Sequence, residues 1–158
     1  MKVINLFVRG INATEKDSAV ALWKTDNTKT RYILLGQKFC ATPINQISGI
    51  DYLGASLMAA FQGMMSIPNP EELDLHIYLE DSIAEFLTKP SGSDALYFYD
   101  QIERFNAMLK GFNAYSIFPV PAMTIETIVV VEAPPTQSIN GEEVLLNEMN
   151  DAFNDMGL

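Results

Sequence analysis

Leu73-Asp74-Leu75-His76-Ile77-Tyr78-Leu79, followed by Glu80-Asp81-Ser82, is the stretch on which the fold turns. Apolar residues at 73, 75, 77 and 79 alternate with polar or amphipathic ones, the period of a strand that lays one face on a core. The polar triplet that closes it carries side chains suited to capping a helix. A strand running into a short helix through Leu87 is therefore expected, with Asp81 or Ser82 as N-cap.

Outward from this strand, the N-terminal side holds three more β-rich runs. Lys2 to Val8 is one, closed by Arg9-Gly10 and Asn12, and Ala19 to Thr25 is the next. Asp26-Asn27-Thr28-Lys29 supplies turn chemistry before Arg31 to Phe39, so the three form an antiparallel meander. After Pro43 the period changes: Ile50, Leu53, Leu57, Phe61 and Met64 fall at intervals of three and four, a helical stripe with Ser48 as its expected N-cap. Pro68 and Pro70 end it.

On the C-terminal side, Lys89 to Ser93 reads as a loop. Asp94 starts a helix marked by Phe98, Ile102, Phe105, Leu109 and Phe112. Pro119 and Pro121 interrupt the chain, Ile125 to Val131 reads as a fifth strand, and Leu146, Met149, Phe153 and Met156 give a terminal helix from Gly141. The expected order is βββ-α-β-αα-β-α: an α/β chain with a five-stranded mixed sheet and helices on both faces, forming one domain over residues 1–158.

Composition narrows the function. A chain of 158 residues buries about two thirds of its unfolded surface and needs no disulfide or structural metal, and Cys40 is its only cysteine. It has no apolar run of roughly 18 to 20 residues and no signal-peptide pattern, so a cytoplasmic protein without membrane contact is expected. The formal charge is -10 and the pI about 4.4. That disfavours nucleic acid as a partner, although a local basic patch is compatible with the average, and it favours a basic protein partner. Gly10, Gly36, Gly54 and Gly63 are isolated and form no phosphate-cradling loop. His76, the only histidine, sits inside a strand with no Ser or Cys motif beside it, and Cys40 has no basic neighbour, so both read as structural.

The order of elements resembles the ribonuclease H-like fold. Ser56-Leu57-Met58-Ala59-Ala60 is similar to that family's first-helix motif Glu-Leu-x-Ala, and Ile77 to Ser82 to its fourth-strand Thr-Asp-Ser ending. The resemblance implies a cluster of acidic residues around two Mg²⁺ ions about 4 Å apart. Its positions fall on Arg9, Ser56, Asp81 and Asn147, of which only Asp81 keeps a carboxylate. An Arg at the first position would repel a dication and is expected to pair with Asp81. The stretch Ala133 to Ser138 lacks the loop His that many members carry, and the charges between Ser82 and Phe118 make no basic protrusion.

The resemblance thus implies a ribonuclease H-like pseudoenzyme without cofactor that binds or regulates another protein. The expected partner is basic or nucleic-acid-processing, as for phage-encoded factors, whose compartment is the host cytoplasm. Two alternatives stand beside this. Asp151, on the same helix face as Asn147, could join Asp81 and one acid from Asp51, Asp17 or Glu15 in a shifted Mg or Mn site of a divergent nuclease. A structural or assembly subunit would instead use Tyr97 and Tyr99 as contact residues. Oligomeric state is left open by the sequence.

Overall fold

The computed structural model describes residues 2–12, 19–26, 28–35 and 53–130. Strands β1 (Lys2–Asn12), β2 (Ala19–Thr25) and β3 (Arg31–Leu35) form the expected antiparallel meander, with Arg9 opposite Leu22 and Ala21 opposite Ile33. Helix α1 (Leu53–Met65) carries the chain over to β4 (Leu73–Glu80), which lies parallel to β1 with Phe7 opposite Tyr78. Helices α2 (Asp81–Thr88), α3 (Gly92–Tyr97) and α4 (Tyr99–Leu109) follow. Strand β5 (Ala114–Val120) then pairs parallel to β4, and α5 (Ala122–Ile128) closes the described part. The result is a mixed five-stranded sheet of order β3-β2-β1-β4-β5.

Alternation along each strand sends side chains to two separate cores. On one face Leu6, Val8, Trp23, Leu75, Ile77 and Leu79 meet Leu57, Phe61 and Phe105 from α1 and α4. On the other, Val20 and Leu22 meet Ile125 and Val129 from α5 and its end. Helices therefore cover both faces, as the sequence pattern implies. Tyr78 also bridges three strands on the second face, stacked between Phe7 at 4.6 Å and Phe118 at 5.1 Å, with its hydroxyl donating to Asn5 Oδ1 at 3.1 Å.

Three expectations are corrected. The fifth strand is Ala114–Val120, and the β-branched run Ile125 to Val131, as far as it is described, is mostly helix α5. Pro119 reads as a breaker in sequence but is tolerated here because β5 lies at the sheet edge. Ile125 and Val129, four residues apart, are both buried on one helix face, and this burial outweighs their β propensity. The single helix expected from Asp94 is two, α3 and α4, divided at Phe98 (φ -100°, ψ 18°); Phe98, Ile102, Phe105, Leu109 and Phe112 are nevertheless all buried. The cap of α2 is Glu80, with Asp81 its first helical residue. Ser48, Cys40, the end of the expected third strand and the terminal helix from Gly141 lie outside the described residues.

Helix α1 is buried along its whole length except Met65, as befits a helix wedged between sheet and outer helices. Gly10 makes that approach possible: a Cβ there would stand 2.5 Å from the Ser56 backbone nitrogen and 2.8 Å from Ala55 Cβ. At Gly63 the atoms nearest an added Cβ all belong to the Leu6 side chain, with Cδ1 at 2.6 Å. Gly10→Ala is expected to cost about 1–3 kcal/mol, the usual scale of overpacking. Gly63→Ala should cost less, because methyl groups yield more easily than backbone. Urea unfolding of both variants checks the order.

Candidate functional site

The consecutive residues Arg9 and Gly10 point to opposite faces of β1. Gly10 receives α1, and Arg9 projects toward α5. Between these helices, past the carboxyl ends of the parallel strands β1 and β4, lies a cavity of about 220 Å³. Open parallel sheets commonly form ligand crevices at this place. Its polar lining is Arg9, Ser56, Glu80, Ser82 and Glu126, over an apolar floor that includes Val8, Leu79 and Ile125.

Each charged group in the cavity already has an intramolecular partner. The Arg9 guanidinium donates to the Val129 carbonyl at 3.2 Å, and its other terminal nitrogen is 3.9 Å from Glu126 Oε1. Val129 is the C-cap of α5, where carbonyls lack intrahelical donors and a cation is favoured by the helix dipole. Glu80 turns back on its own helix start, accepting the Ser82 backbone N–H at 3.2 Å and the Ser82 hydroxyl. Ser56 is 4% exposed, beside Gly10.

The structure brings Arg9 and Ser56 together in this cavity. Asp81 is not among its lining residues and is exposed; the carboxylate at the end of β4 that faces the cavity is Glu80. The expected pair of Arg9 with Asp81 is likewise corrected, since Arg9 meets Glu126 instead. Glu126 was hidden in the sequence because its segment reads as a strand. The signal that reveals it is Pro121 ahead of Ile125 and Val129 at helical spacing. Asn147, Asp151, Asp51, Asp17 and Glu15 lie outside the described residues. His76 sits edge-on to Phe118, ring centroids 5.0 Å apart, and Tyr97 and Tyr99 are exposed, away from the cavity.

Two-metal chemistry needs several free carboxylate oxygens around ions about 4 Å apart. The described lining does not fit that requirement: a guanidinium occupies the cavity, Glu126 faces it, and Glu80 is engaged by Ser82. Among the described residues no group of three or more His, Cys, Asp or Glu is placed to hold a metal ion. None of their helices is long and apolar enough to cross a membrane.

The chain matches no protein-family model, and no curated protein matches it in sequence. Among solved structures it is similar to ribonuclease H1 from the halophilic archaeon Halobacterium salinarum, with a TM-score of 0.58 and 17% identity. The match covers 78% of this chain and 89% of that one. The chain thus adopts a ribonuclease H-like fold.

Removing the guanidinium leaves the Val129 carbonyl without its side-chain donor. Arg9→Ala is expected to lower stability by about 1–3 kcal/mol, the range for hydrogen bonds to charged groups. Glu126 is 54% exposed, so Glu126→Gln should change stability by less than about 1 kcal/mol. Glu80→Ala removes an N-cap and should cost about 1 kcal/mol, more than Asp81→Ala. Denaturant unfolding of the four variants gives the ranking.

Proposed function

We propose that this protein is a ribonuclease H-like domain that does not perform two-metal hydrolysis and that acts by binding or regulating another protein. One observation carries the reading: Arg9 stands in the strand-end cavity as a cation tied to α5 through Val129 and Glu126. A guanidinium there opposes a dication by direct repulsion and at the same time satisfies the nearest carboxylate. A fold of this kind is a scaffold on which function can move to another surface.

The α3–α4 corner supports a protein contact. Leu96, Tyr97 and Tyr99 are 79%, 49% and 59% exposed, while Phe98 between them is 6% exposed and anchors the corner. Exposed tyrosines on a fixed backbone give contact area at small entropic cost. Asp100, Glu103 and Arg104 are exposed on the adjoining turn of α4, a net acidic set that with the overall charge favours a basic partner. A regulator of a nucleic-acid-processing enzyme, of the phage-encoded type, is the partner relationship that this combination of fold and charge suits.

Thermal unfolding with and without Mg²⁺ or Mn²⁺, joined to a cleavage assay on an RNA–DNA hybrid, tests the reading. No rise in melting temperature and no cleavage are expected, because a ligand that binds only the folded state must raise its melting point. A rise with either ion that disappears in Glu80→Ala or Asp81→Ala, together with cleavage, would overturn it in favour of a divergent nuclease. Tyr97→Ser/Tyr99→Ser should melt within about 0.5 kcal/mol of the native chain. Any self-association seen by sedimentation that this double variant abolishes would point to an assembly subunit instead.

A further inference from the structure

The β2–β3 hairpin concentrates positive charge in a chain that carries -10 overall. Three of the chain's 10 Lys and Arg residues, Lys24, Lys29 and Arg31, fall within residues 24–31. All three line a second cavity of about 150 Å³, together with Trp23, Thr28 and Ser66 at the end of α1. Among the described residues it shares no lining residue with the Arg9 cavity.

Among the described residues, no carboxylate lines this second cavity. The acid nearest in sequence, Asp26, is engaged elsewhere: its Oδ2 accepts the Asn5 backbone N–H at 3.0 Å, and both its oxygens accept from Asn5 Nδ2 at 3.2 Å. Among the described residues the only ion pair is that of Arg9 with Glu126, so Lys24, Lys29 and Arg31 have no carboxylate partner there. The turn that presents them is fixed by Thr28, whose hydroxyl donates to the Thr25 carbonyl at 2.9 Å and accepts the Thr25 N–H at 3.1 Å. Arg31 pairs with Trp23 across the hairpin and lies over its ring, 5.8 Å from the centroid.

Trp23 lies in the wall of the cavity. It is 2% exposed, and its indole N–H is a buried donor without a partner.

We propose that this cavity binds a phosphate group, either free phosphate or the phosphate of a monoester. Lys29 and Arg31 at one small cavity exceed what a single carboxylate neutralises, while Lys24, next to Trp23 on β2, belongs to the opposite face of the strand. A phosphate at neutral pH brings a charge near -2 and several strong acceptor oxygens, enough for the Arg31 fork and the Lys29 ammonium together. The cavity size suits the tetrahedral anion, with any ester group outside in solvent. The site is separate from the strand-end cavity and does not depend on the function proposed above.

Trp23 is the only tryptophan in the chain, so its emission reports this cavity directly. Inorganic phosphate is titrated into the native protein at constant ionic strength against chloride, with calorimetry as a second readout. A parallel titration uses thymidine 5′-monophosphate beside unphosphorylated thymidine. A saturable response to phosphate and to the monoester, absent with chloride and thymidine, is expected. Lys29→Gln and Arg31→Gln should each weaken it about tenfold or more, as for the loss of one charge-assisted contact, and Lys29→Gln should leave the melting temperature in chloride unchanged. Tighter binding of the monoester would assign the phosphate to an ester, and equal or weaker binding to the free ion. No saturable signal by either readout, or equal affinity in the double variant Lys29→Gln/Arg31→Gln, would overturn the proposal.

Discussion

The close approach of α1 to β1 at Gly10 is the constraint from which the rest of the molecule is organised. With no side chain at that position, the Ser56 backbone sits where a Cβ would otherwise collide with it. The helix can then be buried on nearly every side, and the larger core forms around it. Because side chains alternate along a strand, the same contact turns Arg9 to the opposite face. One dipeptide thus sets both helix layers: its glycine seats α1, and its arginine holds the end of α5.

The Arg9 anchor gives the strand-end cavity its chemical character. A carboxylate at this position would add negative charge beside Glu80 and Glu126, and all three would need an external cation. Arg9 supplies positive charge from within the chain, and its donation to the Val129 carbonyl fills a gap that every helix C-terminus leaves. The interaction with Glu126 is longer and half exposed, so the carbonyl contact is the stronger tie. Glu80, by capping α2, shows the same economy: an acidic side chain in the cavity stabilises its own backbone.

Much of this architecture is legible in the sequence because its elements are periodic. Leu73 to Leu79 alternates cleanly and is a strand, and Phe98 to Phe112 marks a buried face even though the backbone breaks at Phe98. The region from Ala114 to Val130 is illegible for a physical reason. Its strand lies at an edge, with little burial and a proline, whereas its helix carries the β-branched residues, so local preference points the wrong way in both. That exchange concealed Glu126, and with it the true partner of Arg9. At the end of β4, Glu80 and Asp81 are adjacent acids, and one residue of shift decides which faces the cavity. Spacing alone does not resolve that choice, whereas the cap geometry does.

Net charge describes this protein poorly at the scale on which ligands are recognised. The average of -10 predicts repulsion of anions at distances beyond the Debye length, roughly 8 Å in physiological salt. Within a cavity, the groups on its wall decide. The two cavities differ in kind on this measure: in one, Arg9 is matched by Glu126 and a helix end, and in the other Lys29 and Arg31 meet no acid among the described residues. The first arrangement consumes its charge in holding the fold together. The second leaves cationic charge without an ion-pair partner, and so among the described residues it is at the hairpin, rather than at the strand ends, that the electrostatics favour an anion.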